Sequence, residues 1–254
     1  MRPYPFSFFG KAPPFVPTTI SGCVLWLKSD LGITTSSGNV TQWNDQSGAA
    51  ITPSFTAAGA ARPTYTASGG PNNVPYLTGT VNTLLSSGTS LFSSAGARTI
   101  FAVGRGVNDG FGHALLGTVF TNRSTTAVYT VQVLGDGGGG HRYLYSDGVS
   151  VNITDNALAD APFFSDFVFD FSSTGTGSAL SAFFNGGSVL PTAGGNVAAE
   201  SGSAGTGIMG RGDSGLQGWI GRMYEIVIYN RVLSGTEKST VRSGLAARYG
   251  ITVT

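Results

Sequence analysis

From residue 22 onward, glycine-rich turns cut the chain into short runs of strand-forming residues, a spacing that points to an all-β sandwich or barrel. Residues 22–28 and 40–44 read as strands, as does 98–104 (RTIFAVG). Ala127 to Leu134 alternates, with Val128, Thr130 and Gln132 on one side and Tyr129, Val131 and Val133 on the other. The glycine run Gly137 to Gly140 then closes a hairpin onto His141 to Tyr145. Phe163 to Phe171 has the density of a core strand, and Ser178 to Phe184 runs into a tight turn at Asn185 and Gly186. Leu216 to Tyr229 predicts one long strand, with Met223, Glu225, Val227 and Tyr229 on one face and Tyr224, Ile226 and Ile228 on the other.

Helical periodicity is confined to the C-terminal end. Ser234 and Glu237 stand at capping-box spacing, in which the serine oxygen takes the amide three residues on and the glutamate reaches back. Val241, Leu245 and Tyr249 recur on one helical face, and Gly250 supplies the left-handed stop. The expected helix has about four turns and packs against an end or edge of the sandwich. The first nineteen residues differ again. Five prolines there block helix and central strand, and five aromatics (Tyr4, Phe6, Phe8, Phe9 and Phe15) need a surface to lie on. Residues 1–19 therefore read as an extended arm and 20–254 as one domain. The arm either packs on its own domain or docks into a neighbour.

Charge narrows the function. Charged residues make up 11 % of the chain, against about 25 % in ordinary soluble domains, and the formal net charge is +1. A scattered, balanced set of basic groups has no means of displacing counterions from nucleic acid, which is set aside as a partner. No run approaches the ~20 apolar residues a membrane-spanning helix needs. The proline-broken N-terminus does not read as a cleaved export signal. The single cysteine, Cys23, excludes an internal disulfide and sits in a strand as a small hydrophobe.

Two blocks carry a resemblance. Leu25-Trp26-Leu27-Lys28-Ser29-Asp30 followed by Val40 to Gly48 (VTQWNDQSG), and the closing Gly218 to Ser234 with Leu245 to Ile251, resemble a laminin-G-like domain of the concanavalin A-like lectin/glucanase superfamily. The resemblance spans about residues 20–252. It implies a two-sheet antiparallel jelly roll, with Trp26, Trp43 and Trp219 in structural positions. It also implies a carbohydrate-binding or adhesive module, or a structural component of a bacteriophage particle.

The glucanases of that superfamily carry a Glu-x-Asp-x-x-Glu strand, and no such pattern is present here. A glycosidase needs two facing carboxylates, yet the chain has three glutamates, of which Glu237 reads as a cap and Glu225 as a strand residue. Asp166 and Asp170 are the remaining same-face pair. For sugar binding, Tyr129, Tyr143 and Tyr145 are the platform candidates, beside the loop at Asp136. His113 and His141 have no metal-ligand spacing. Calcium is open at loop aspartates, with Asp109, Asp136, Asp147 and Asp155 as candidates and no dedicated loop motif among them. Arg211-Gly212-Asp213 has the form of a cell-attachment tripeptide and reads as a plain turn.

The expectation is thus a non-enzymatic surface or decoration protein of a virus particle, with no cofactor beyond that open calcium. Its arm docks into capsid or tail proteins, and its lectin-like domain is free to bind glycans. A secreted or cell-surface adhesin is the alternative, and a glycoside hydrolase the third reading. A homo-oligomer is compatible with so weakly charged a surface.

Overall fold

The computed structural model describes residues 14–50, 54–88, 91, 97–106, 118–123, 128–135, 141–147, 150–155, 167–173, 180–189, 206–210 and 218–254. Among these, the strands are β1 (Cys23–Lys28), β2 (Ile33–Ser36), β3 (Asn39–Asn44), β4 (Ser54–Thr56), β5 (Thr64–Thr66), β6 (Tyr76–Gly79), β7 (Leu85–Ser86) and β8 (Arg98–Gly106). There follow β9 (Thr118–Arg123), β10 (Val128–Gly135), β11 (His141–Asp147), β12 (Ser150–Asp155), β13 (Phe167–Ser173), β14 (Leu180–Phe184), β15 (Gly187–Val189), β16 (Thr206–Ile208) and β17 (Gly221–Tyr229). Helix α1 (Gly235–Tyr249) closes the chain. In β9 to β12 and in parts of β13 to β15 the description is of the backbone alone. No helix among the described residues is long and apolar enough to cross a membrane.

Every pairing given for these strands is antiparallel, and the ladder forms one curled sheet. One strip runs β12-β11-β10-β9-β16-β7-β4-β3-β2. A second runs β15-β14-β13-β8-β17, and the far side of β17 is shared between β6 and β1. The strips meet through β5, which pairs with β6 and touches β3 at Asn39.

Two cores result. The first holds Trp43, Phe55, Leu77, Ile100, Ile208 and Trp219, with residues drawn from both strips. Trp43 and Trp219 are fully buried, and each indole N–H donates to a backbone carbonyl, of Lys28 and Arg222, at 3.1 Å. Trp26 differs: it is partly buried on the opposite side, against the helix core.

That second core corrects the expected position of the helix. Val241, Leu245, Ala246 and Tyr249 pack on Phe101, Val103, Val168, Val227 and Tyr229, so α1 covers the face of the interior strands β8, β13 and β17, not an end or edge. The cause lies in β8 and β17, whose residues are buried on both faces. Apolar residues turned outward from a central strand need a cover, and each large one gains about 1.5–3 kcal/mol by burial.

The expected alternation of β17 holds from Ile226 to Tyr229 and is broken before it. The register of β17 on β8 shifts between Met223 and Glu225, where an extra residue is accommodated as a bulge. Met223, Ile226 and Ile228 consequently share the first core, while Tyr224, Val227 and Tyr229 face the helix.

The helix ends are as the sequence predicts. Ser234 Oγ accepts from the Glu237 amide at 3.2 Å, Glu237 accepts from the Ser234 amide at 2.8 Å, and Gly250 caps the other end at φ 62°. At the N-terminus, residues 17–19 form a 3₁₀ turn where extended chain was expected. Phe15 is half-buried and its ring lies against Gly244 of α1. Tyr4, Phe6, Phe8 and Phe9 lie outside the described residues.

Candidate functional site

The acids decide first what the chain can do chemically. Glu225 has no exposed surface and receives three donors: Trp26 Nε1 at 2.5 Å, Arg248 Nη1 at 2.5 Å and the Tyr249 hydroxyl at 2.9 Å. Arg248 also donates to the Phe15 carbonyl and stacks its guanidinium over the Trp26 ring. Burial works against the Arg248 charge, but Glu225 outweighs it and holds the guanidinium above its ordinary value. Burial first, and then the Glu225 charge, push the Tyr249 phenol well up. Glu237 is engaged as well: Arg231 grips both of its oxygens, at 2.9 and 2.5 Å. That bond and the Ser234 amide hold its carboxyl down at about 2. Glu225 has no surface to present to a substrate, and Glu237 is held by Arg231.

The Cys23 thiol is pushed up to about 12, chiefly by burial and then by the nearby Asp45 charge. It is therefore a thiol, not a thiolate nucleophile, near neutral pH. Asp166 lies outside the described residues, and Asp170 is described in β13 by its backbone, opposite Phe101 and Phe183.

The expected platform residues occupy register positions on one ribbon. Tyr129 of β10 stands opposite Asp147 of β11, Val131 opposite Tyr145 and Val133 opposite Tyr143. Directly opposed residues of an antiparallel pair share a face, so Tyr129, Tyr143, Tyr145 and Asp147 take positions on one side of the β10–β11 ribbon. The row through Tyr145 and Val131 continues to Phe120 of β9 and Ile208 of β16, and Ile208 is fully buried in the first core. Asp136, Asp109, His113 and the Arg211-Gly212-Asp213 turn lie outside the described residues. Asp147 and Asp155, expected in loops, are the last residues of β11 and β12. Among the described residues no three of His, Cys, Asp and Glu gather to hold a metal ion.

A concavity that sequence reasoning missed lies at the C-terminal end of α1. It is an open concavity of about 500 Å³ lined by Pro71, Asn72, Asn185 and Tyr249 to Thr252. Three turns build it, each with a left-handed residue: Asn72 at φ 50°, Asn185 at φ 48° and Gly250 at φ 62°. Asparagine tolerates that region because its short polar side chain bonds locally. Here both side chains bond distant backbone instead. Asn72 Nδ2 donates to the Arg248 carbonyl at 2.8 Å, and Asn185 Oδ1 accepts from the Val168 amide at 2.9 Å. The Asn185 carbonyl in turn accepts from Thr254 N and Oγ1, tying the end of the chain to the β14–β15 turn. Among the described residues no charged side chain lines this cleft. The sequence signal was the pair of turn asparagines, which announces two turns but not that they face each other.

No protein-family model matches the chain, and no curated protein matches its sequence. Solved structures do match in shape. The binding domain of Paraclostridial Mosquitocidal Protein 1 superposes with a TM-score of 0.56 at 11 % identity, over 91 % of this chain and 53 % of that one. Domain 4 of AbnA, a GH43 extracellular arabinanase from Geobacillus stearothermophilus solved in complex with arabinotriose, gives 0.56 at 12 % identity, over 87 % and 97 %. Trypanosoma rangeli sialidase, in complex with sialic acid, gives 0.56 at 16 % identity over 92 % of this chain. This chain spans about half of the first of these and 34 % of the sialidase. At such identities the likeness shows the fold, a mostly β, sandwich-like domain closed by one helix.

Proposed function

We propose that this protein is a non-catalytic carbohydrate-binding domain displayed on the surface of a virus particle. In finer terms the fold is a two-sheet jelly roll of the laminin-G-like kind. The observation that carries the binding reading is the cleft at the end of α1, an open concavity whose described lining side chains are uncharged and include two amides. Sugars are bound by such sets of neutral donors and acceptors over an apolar floor. The whole-domain likeness to a structure that holds arabinotriose supports the same reading. Two of the three glutamates, Glu225 and Glu237, are committed to the fold, which supports the non-catalytic reading and leaves Asp166 and Asp170 as the acid pair to test.

Docking to capsid or tail proteins falls to the aromatic arm. Its root is fixed, because the Tyr229 hydroxyl donates to the Pro17 carbonyl at 3.0 Å and Arg248 grips Phe15. Beyond that root, Tyr4, Phe6, Phe8 and Phe9 are the residues proposed to dock on a neighbour. Tyr129, Tyr143 and Tyr145 remain the proposed second platform, beside Asp136.

The test is a glycan array with the full-length protein, run with calcium and again with chelator. Saturable binding without release of reducing ends is the expected result. Hydrolysis of any bound glycan overturns the non-catalytic reading, and a blank array overturns carbohydrate binding. Deleting residues 2–13 is expected to abolish attachment to the particle while thermal unfolding stays unchanged. Attachment that survives the deletion refutes the docking role.

A further inference from the structure

We infer that the cleft at the end of α1 recognises neighbouring hydroxyls of a neutral sugar through Asn72 and Asn185, and that it rejects acidic sugars. This rests on the carbohydrate-binding reading above and names the ligand class for one site.

The argument begins with the two amides. A backbone carbonyl is satisfied only by an amide N–H, and a backbone N–H only by an amide oxygen, so the partners fix which way each side chain is turned. Asn72 spends its Nδ2 on the Arg248 carbonyl and keeps Oδ1 as an acceptor. Asn185 spends its Oδ1 on the Val168 amide and keeps Nδ2 as a donor. Asn72 and Asn185 both line the cleft, which therefore offers Asn72 Oδ1 as an acceptor and Asn185 Nδ2 as a donor. A vicinal diol matches that pair, since one hydroxyl donates to Asn72 Oδ1 while its neighbour accepts from Asn185 Nδ2. Pro71 and Ile251 supply apolar surface for the C–H side of the ring.

Electrostatics exclude an acidic ligand. The nearest cation on the helix end, Arg248, is consumed by Glu225 and by the Phe15 carbonyl. The cleft faces the C-terminal end of α1, where the helix dipole leaves partial negative charge. A carboxylate placed there meets no compensating donor charge, in contrast to the Arg clamps that bind acids. A site with fixed polar partners also discriminates strongly, because a ligand lacking the matching hydroxyl leaves them unpaired.

The experiment is titration of the full-length protein with two panels, neutral oligosaccharides (arabinan, glucan and mannan fragments) and sialylated or uronic-acid glycans. Two variants are titrated beside the natural protein. Asn185→Asp keeps the acceptor for Val168 and a residue tolerant of the left-handed region, but replaces the free donor with a carboxylate. Thr252→Trp, at an exposed position, fills the cleft without touching either amide. Neutral glycans are expected to bind and acidic ones not. Each variant is expected to weaken neutral binding at least about tenfold, the worth of one lost hydrogen bond, with unfolding temperature unchanged. Preference for acidic glycans overturns the inference while carbohydrate binding stands. So does neutral binding indifferent to Thr252→Trp. Failure of every glycan to bind overturns the carbohydrate reading itself.

Discussion

Arg248→Met isolates what the buried ion pair does. The methionine keeps most of the aliphatic stem, so the change removes mainly the charge and its hydrogen bonds. Glu225 then remains fully buried with two neutral donors, Trp26 and Tyr249, and no cation. Breaking a buried pair from one side costs about 3–5 kcal/mol, because the surviving charge is left uncompensated. The lost bond to the half-buried Phe15 carbonyl adds about 1 kcal/mol at most. For a domain of this size each kcal/mol moves the midpoint by roughly 2–4 °C, so the expected loss in Tm is on the order of 10 °C.

Urea unfolding followed by circular dichroism measures this, provided the m-value stays constant. Glu225→Gln in the same background supplies the control, since an amide oxygen still accepts from Trp26 and Tyr249 but carries no charge. The double variant is expected to recover most of the loss. A cost below about 1 kcal/mol for Arg248→Met, or a double variant no more stable than it, refutes the argument.

Three further changes follow from the geometry. A Cβ at Gly244 would stand 2.3 Å from the Phe15 ring; Gly244→Ala gains up to about 1 kcal/mol of helix propensity and displaces Phe15, so limited proteolysis is expected to trim the N-terminus faster with little change in Tm. The Glu237 carboxyl, held down at about 2 from an ordinary 4.5, stabilises the fold fully above that ordinary value. The contribution fades as pH falls from 4.5 toward 2, so Glu237→Gln should flatten the Tm–pH curve in that window. Cys23, with its thiol at about 12, should resist iodoacetamide at pH 8 in the folded protein and react on unfolding.

The elements were legible where their signals are local. Ser234, Glu237 and Gly250 fix both ends of α1 within a few residues of chain, and the strands are bounded by their own turns. What depended on distant partners was not legible. The bulge between Met223 and Glu225 leaves no mark in composition, yet it exchanges the two faces of β17 beyond it. The seat of α1 had a signal in the apolar runs 100–103 and 226–229, which ask for cover on both faces; along the second, alternation was read instead. Glu225 reads as an ordinary strand acid until Arg248, 23 residues on, is brought under it by the helix. The cleft is the furthest from local, because its walls come from three turns that the curled sheet alone brings together.

The last turn of α1 joins these pieces. Arg248 binds Glu225 and Phe15 through its side chain, while its carbonyl holds Asn72. Tyr249 bonds the same carboxylate and forms part of the cleft. The root of the arm and the wall of the cleft are thus fixed to neighbouring residues of one buried network. A buried network of charge-assisted bonds holds its members in place, and the turns behind Asn72 and Asn185 are pinned by backbone partners. The cleft is in consequence formed before any ligand arrives, and binding spends little on ordering side chains. Its openness sets the opposite limit: a sugar lying in it stays partly in water, and few contacts are made per site. Weak, preformed sites act through number, because copies fixed on one surface make each later contact intramolecular. A rigidly rooted docking arm is the device that would hold many such domains on one particle, and it is here that the two halves of the proposed function depend on each other.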